Sequence, residues 1–482
     1  MPARLDDKTL LRQQCLIDGH WIGTPEDAVH DPATGETVAR VPRMGLAEAH
    51  EAINAAARAF PVWSSTLAAE RAATLRRWAD LITQHANDIA RIMTAEQGKP
   101  LAEARGEVLS AAGYIGYYGE ESRRIGGEMR PSHRADSRIM VMHQPIGVVG
   151  AITPWNFPAG MIARKVGPAL AAGCTVVLKP APETPLTALA LAELGQRAGL
   201  PPGTLNVITG DAVAVGQALF EAPAVRFIGF TGSTATGKLL MRQAADGIKR
   251  LGLELGGHAP FIVLDDADLD AAVDGAMAAK FRNMGQTCVA ANRLWLHEKI
   301  HDAFVEALSA KVRTLRVGPG TEEGVTQGPL INDRALQKVE RHVADALERG
   351  ARLHVGGQRH ALGGTYYEPT VLSGVTDGMA VATEETFGPV AAITRFNNDE
   401  DMLQRVNASN YGLAAYVYGR DIGRVLRMGE RLEVGMVGIN AVALGTELAP
   451  IGGVKHSGIG REGSHHGILE YCETKYMLVG GL

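Results

Sequence analysis

Arg226-Phe-Ile-Gly-Phe230-Thr-Gly-Ser-Thr-Ala-Thr-Gly237 begins as an apolar run, turns at a glycine, and continues into the helical pattern Lys238–Ala245. The same alternation precedes it. Thr175–Leu178 is a short β-branched run, and Thr184-Pro185 then supplies an N-cap and a first-turn proline for a helix over Leu186–Ala198. Leu205–Ile208 reads as the next strand and Ala212–Phe220 as the next helix. Strands and helices alternating at this pitch predict parallel βαβ units in a doubly wound sheet. Upstream, the amphipathic stretches Leu46–Phe60 and Ala69–His85 read as helices, and Ile139–His143 and Gly147–Ile152 as strands. A second alternating block starts at Pro260-Phe-Ile-Val-Leu264 and runs past Gly435, so a seam between two α/β lobes is expected near Gly256-Gly257. A glycine cluster, Gly452–Gly463, precedes Leu469–Val479, which reads as a strand leaving the main body.

Composition sets outer bounds. A chain of 482 residues is too long for one core and should divide into two or three. A net charge of -5 gives no reason to expect a nucleic acid or an anionic membrane as partner. The four cysteines, Cys15, Cys174, Cys288 and Cys472, form no Cys-x-x-Cys pair, so neither a disulfide framework nor a metal site is expected. The first residues lack the apolar core of a secretory signal, and the best apolar run, Val166–Leu178, is interrupted by Gly167, Pro168 and Gly173. A cytoplasmic location is expected.

Chemistry concentrates at three places. Glu254-Leu-Gly-Gly supplies a carboxylate, and Gly285-Gln-Thr-Cys288, thirty-four residues on, supplies a thiol. Pro154-Trp-Asn-Phe-Pro158 places an amide on a stiff turn. Taken singly, each has an ordinary explanation. A lone cysteine is most often a small buried hydrophobe, Asn156 a turn residue, and Glu254 a surface or capping carboxylate. The turn Thr231–Gly237 aims backbone N–H groups and a helix N-terminus at a phosphate, yet it matches no standard nucleotide fingerprint, and a plain βα turn explains it locally. Together, however, a thiol, an oxyanion donor and a base are what oxidation of an aldehyde through a thioester requires.

With Pro154–Pro158, Phe230–Gly237, Leu253–Gly257, Gly285–Cys288 and Glu384-Glu-Thr-Phe-Gly-Pro389 in this order, the chain resembles the aldehyde dehydrogenase superfamily from about Leu16 to its end. The resemblance implies a Rossmann-like cofactor lobe (1–126 and 144–256), a catalytic lobe (257–450) and a β-strand oligomerisation arm (127–143 and 465–482), giving homodimers or homotetramers. It implies Cys288 as nucleophile, Asn156 and the Cys288 N–H as oxyanion donors, and Glu254 as the base for hydrolysis. For the dinucleotide it implies Lys179 on the adenosine ribose, Gly232, Ser233 and Gly237 at the pyrophosphate turn, Glu385 on the nicotinamide ribose, and Trp155 and Phe387 nearby. NAD-preferring members tend to carry a glutamate three residues after this lysine. Here Pro182 stands there, with Glu183 next, so NADP as well as NAD is expected to be accepted.

Two arginines set the expected substrate class. Arg164 follows Asn156 by eight residues and Arg282 precedes Cys288 by six. In the succinate-semialdehyde branch of the superfamily, arginines at these positions clamp the distal carboxylate, which suits a bidentate guanidinium. The chain therefore resembles that branch, and succinate semialdehyde is the expected substrate. Where the branch usually offers a serine after Gly438-Ile-Asn440, this chain has Gly445 and Thr446, so glutarate and α-ketoglutarate semialdehydes stay open. A broad-specificity dehydrogenase and a non-catalytic relative are the remaining readings. Ala290 replaces the second cysteine that some relatives carry, so no disulfide switch is expected.

Overall fold

The computed structural model describes residues 5–482. Its first large sheet runs, in spatial order, His20–Ile22, Cys15–Ile17, Leu205–Val207, Thr175–Lys179, Val148–Ile152, Val225–Thr231, Arg250–Glu254 and Gly458–Ile459. The five strands from Leu205–Val207 to Arg250–Glu254 are parallel, and antiparallel strands close both edges. Every residue of Thr175–Lys179 is buried, as expected of a parallel strand with helices on both faces. The second sheet runs Arg352–Val355, Thr370–Ser373, Val390–Phe396, Ala291–His297, Ala259–Val263, Ala414–Tyr418 and Met436–Ile439. Only Arg352–Val355 is antiparallel to its neighbour. The two sheets bury separate apolar clusters. This is the mixed α/β architecture the alternation predicts.

A third, antiparallel sheet joins Glu128–Pro131, Ser137–Pro145 and Cys472–Gly480, with Cys472 opposite Pro145 and Gly480 opposite Ser137. It stands apart from both cores, and Met129, Tyr476, Leu478 and Val479 are exposed on it.

Topology positions the site. The chain fills the first sheet outward from Val148–Ile152 in both directions, so a switch point lies between that strand and Val225–Thr231. Ligands of open α/β sheets bind at such points, beyond the carboxyl ends of the strands. Those ends carry Pro154–Asn156 and Gly232-Ser233. Strand Arg250–Glu254 passes through Leu255–His258 into Ala259–Val263, so the carboxyl edge of the first sheet meets the amino edge of the second. Two glycines permit the close approach there. A Cβ on Gly256 would lie 2.7 Å from a Glu385 carboxylate oxygen, and one on Gly257 would lie 2.2 Å from the Cys288 carbonyl.

One local expectation is corrected. Thr184 does stand at the N-cap of helix Pro185–Arg197, but its hydroxyl caps nothing. The buried carboxylate of Glu96 accepts instead from Leu186 N–H at 2.7 Å and Thr187 N–H at 2.8 Å. A longer-range acceptor has displaced the local one. Helix Leu269–Phe281 ends where the chain kinks into the nucleophile loop.

Candidate active site

The loop before Cys288 is wound against its preference. Asn283, Met284 and Gly285 have φ of 49°, 56° and 71°, three left-handed residues in succession. Asparagine and glycine tolerate this conformation, whereas methionine there is strained by roughly 1–3 kcal/mol. Burial of Met284 against Leu330, Val339 and Leu372 holds it in place. The kink turns the chain so that Thr287 and Cys288 face the space between the lobes.

Cys288 lines two cavities at once. The first, of about 360 Å³, is walled by Pro154, Trp155, Asn156, Gly232, Ser233, Glu385 and Phe387, with Glu183 at one side and Arg334 and Lys338 from helix Asp333–Glu348 at the other. Ser233 caps helix Thr234–Gly247 through Thr236 N–H, so a helix N-terminus opens on this cavity. The Trp155 and Phe387 rings meet edge to face at 5.6 Å. Glu385 accepts from Gly257 N–H at 2.9 Å, while burial pushes its carboxyl up to about 7. The second cavity, of about 160 Å³, is walled by Arg164, Arg282, Glu254, Glu462, Tyr114, Phe157 and Gly445 among others.

The sequence candidates therefore fall into two groups around one thiol. Trp155, Asn156, Gly232, Ser233, Glu385 and Phe387 lie on one side, and Glu254, Arg164, Arg282 and Gly445 on the other. Lys179, Gly237 and Thr446 line neither cavity. Lys179 is buried, donates to the Pro180 carbonyl at 2.9 Å, and is pulled down to about 8 by burial, with Glu183 opposing that shift. A Cβ on Gly237 would collide with Leu255, so this glycine lets the helix pack on its sheet. Thr446 accepts from Leu448 N–H at 3.3 Å.

Electrostatics keep the thiol neutral at rest. Burial, with Glu385 and Glu254 nearby, pushes Cys288 up to about 12, and Arg164 opposes this. Burial and the neighbouring Glu462 also hold the Glu254 carboxyl well above its usual range. Glu462 in turn pairs with buried Lys165, which also donates to the Thr231 hydroxyl. On the far wall Arg164 is half-buried, its guanidinium 5.0 Å from the Tyr114 ring, and its buried Nε has no partner among the described residues. Arg282 lies 5.0 Å from the Phe157 ring.

Several residues at the site carried no sequence signal strong enough to single them out. Lys165, Glu462, Glu107 and Lys338 look like ordinary charges on helices or loops. The run Glu96-Gln-Gly-Lys-Pro100, unusually polar for a join between two apolar helices, was the one local hint.

The profile of the Aldehyde dehydrogenase family matches residues 21–477. The chain belongs to the aldehyde dehydrogenase family. Three curated relatives are each 54% identical to it. They are 3-sulfolactaldehyde dehydrogenase of Pseudomonas putida (99% of each chain covered), glutarate-semialdehyde dehydrogenase of Pseudomonas aeruginosa (99% of this chain, 100% of the relative), and an NADP-dependent succinate-semialdehyde dehydrogenase of Escherichia coli K12 (99% and 100%). The crystal structure of succinate-semialdehyde dehydrogenase from Burkholderia pseudomallei superposes with a TM-score of 0.98 at 56% identity, covering 99% of each chain. The fold and the order of the motifs thus match this family's along essentially the whole chain, and no helix among the described residues is long and apolar enough to cross a membrane.

Proposed function

We propose that this aldehyde dehydrogenase oxidises short aldehydes with an anionic group at the far end, succinate semialdehyde foremost, using NAD(P)+. The carrying observation is the pair Arg164 and Arg282. Two guanidinium groups, one half-buried with an unpartnered Nε–H, line the cavity on one side of Cys288 and are in no ion pair among the described residues. Guanidinium groups outside any ion pair beside the nucleophile suit a carboxylate at the far end of the substrate, which each can bind bidentately. The three relatives are named for aldehydes ending in a carboxylate or a sulfonate, which supports the same reading. Glutarate semialdehyde stays as the second substrate because Gly445 leaves the space beside Arg164 open, its missing Cβ 3.3 Å from the guanidinium.

The other cavity fits a dinucleotide. It offers a helix N-terminus to a pyrophosphate at Gly232-Ser233, a half-buried carboxylate at Glu385 to ribose hydroxyls, and the rings of Trp155 and Phe387 beside them. Glu183 lines the same cavity, and Lys179, which does not line it, is assigned to the adenosine end through its neighbour Glu183. A nicotinamide dinucleotide held there supplies the hydride acceptor.

The chain's own residues do the rest. Cys288 loses its proton to solvent and adds through sulfur to the aldehyde carbon. Asn156 Nδ2 uses one N–H on the Gln286 carbonyl at 3.0 Å, and its other N–H, with the Cys288 backbone N–H, receives the new oxyanion. Loss of hydride from that carbon collapses the oxyanion to a thioester on Cys288. Glu254 then removes a proton from the water that attacks the thioester, and the carboxylic acid leaves with the thiol restored. Arg164 and Arg282 hold the distal anion throughout.

We assign residues 1–126 and 144–256 to the cofactor domain and 257–450 to the catalytic domain. Residues 127–143 and 465–482 form the arm, whose exposed apolar side chains suit a homodimer or homotetramer. Four unpaired cysteines suit the cytoplasm. Initial rates on succinate semialdehyde, glutarate semialdehyde and neutral butanal, each with NAD+ and NADP+, test the activity. Acidic substrates should lead in kcat/KM, and equal rates on butanal would overturn the anion clamp.

A further inference from the structure

Lys99 reaches the active site from the tight turn Gly98-Lys99-Pro100, between helices Ala86–Gln97 and Leu101–Glu121. Gly98 has φ of 90°, and a Cβ on it would meet Pro329 at 2.7 Å and Pro32 at 2.8 Å, so the turn is clamped. The Lys99 side chain is fully buried. Its ammonium pairs with Glu107, donates to the Asn156 carbonyl at 2.8 Å, and stands 4.0 Å from the centre of the Phe157 ring. All of its contacts thus fall on the Asn156 turn or on the carboxylate that anchors that turn. Glu107 itself accepts from Ala159 N–H at 2.9 Å and Gly160 N–H at 3.1 Å, fixing the start of the helix that carries Arg164.

The Asn156 carbonyl has a second donor, Asn283 Nδ2, at 3.0 Å. Asn283 is oriented in turn by Gln97, whose amide donates to its Oδ1 at 3.1 Å. With both lone pairs of this carbonyl engaged, one by a cation, the peptide plane after Asn156 cannot rotate without breaking two buried hydrogen bonds. That plane sets the direction of the Asn156 Cα–Cβ bond, and the side-chain amide then rests on the Gln286 carbonyl of the nucleophile loop.

We infer that Lys99, seconded by Asn283, is a positioning residue for the oxyanion donor Asn156. The inference rests on the proposed role of Asn156 and extends it. Glu107 keeps the ammonium in place, so the cluster couples the helix start to the oxyanion site without touching the reacting atoms.

The test combines the burst rate of NAD(P)H formation with the rate of Cys288 alkylation by iodoacetamide. Alkylation needs the thiol but no oxyanion donor. The pair Lys99→Met and Glu107→Gln removes both buried charges together while keeping an acceptor for Ala159 and Gly160. It should slow the burst about 30- to 100-fold, the scale of a misplaced catalytic group, and leave alkylation within about twofold. In an Asn156→Ala background the same pair should cost no more than about threefold, because the group it positions is gone. A full, additive loss in that background, parallel loss of alkylation, or an unchanged burst would overturn the inference. Asn283→Ala gives a second route should the pair fail to fold. It leaves the ion pair intact and must show the same selective loss, vanishing in the Asn156→Ala background; otherwise the inference falls. An Asn156→Ala enzyme with a wild-type burst would instead remove the oxyanion role itself, so the two failures are distinguishable.

Discussion

The two cavities that meet at Cys288 are built by different means. The dinucleotide side is walled mainly by short contiguous segments, 154–156, 231–233, 255–256 and 385–387, and depends on glycines, a helix terminus and the carboxylates Glu385 and Glu183. The acid side gathers single side chains from helices Leu101–Glu121 and Pro158–Ala172, the kinked 282–289 loop, residues 442–445 and Glu462. The first uses backbone dipoles, which suit any nicotinamide dinucleotide. The second presents two arginines outside any ion pair, which suit one end of one substrate class. Changes on the first side should therefore alter every reaction of the enzyme, and changes to the two arginines on the second should alter only those of acidic aldehydes.

Breaking the shared wall should have the largest effect. Cys288→Ser should lower kcat on the order of 10⁴-fold or more with acidic and neutral aldehydes alike, as for other covalent nucleophiles. Steady-state rates on both substrates check this. Glu254→Gln comes next. Steady-state turnover should fall about 10²- to 10⁴-fold while a burst of NAD(P)H persists, because hydrolysis rather than acylation is blocked. The carboxylate is the working form and its pKa is held high by burial and by Glu462. In the wild type, hydrolysis should thus speed up as pH rises through that raised value, a dependence the glutamine variant should lack.

Legibility in the sequence followed the same divide. The alternation of strands and helices was visible, because parallel strands buried on both faces read as short apolar runs. The dinucleotide side was visible too, since Trp155-Asn156, Gly232-Ser233 and Glu385–Phe387 are each local words. The acid side was only half legible. Arg164 and Arg282 stood out by their positions relative to Asn156 and Cys288, but Glu462 and Lys165 form their pair across 297 residues, which no local pattern encodes. Thr184 misled for the same reason: its N-cap position was readable, whereas the carboxylate that does the capping, Glu96, lies 90 residues upstream of the Leu186 N–H it accepts from. Gly237 looked like a phosphate-turn glycine and serves the packing of its helix against Leu255.

Smaller effects sharpen the contrast. Arg164→Ala should cost about 2–5 kcal/mol in kcat/KM for succinate semialdehyde, the scale of removing one partner of a buried charge pair, and leave butanal unaffected. Equal losses on both would erase the distinction between the two sides. Glu183, half-buried near Lys179 and lining the dinucleotide cavity, should weigh against a ribose 2′-phosphate. Glu183→Ala should shift the NADP+ to NAD+ ratio of kcat/KM toward NADP+ by roughly tenfold, about 1.4 kcal/mol, with the same shift for acidic and neutral aldehydes.

The account turns on sulfur at position 288 carrying the acyl group between its two half-reactions. Glu254→Gln enzyme mixed with succinate semialdehyde and dinucleotide, quenched in acid during the burst and mapped by peptide mass spectrometry, tests this directly. A succinyl thioester on the Cys288 peptide, equal in amount to the NAD(P)H formed, is the expected result. NAD(P)H released with Cys288 unmodified would contradict it.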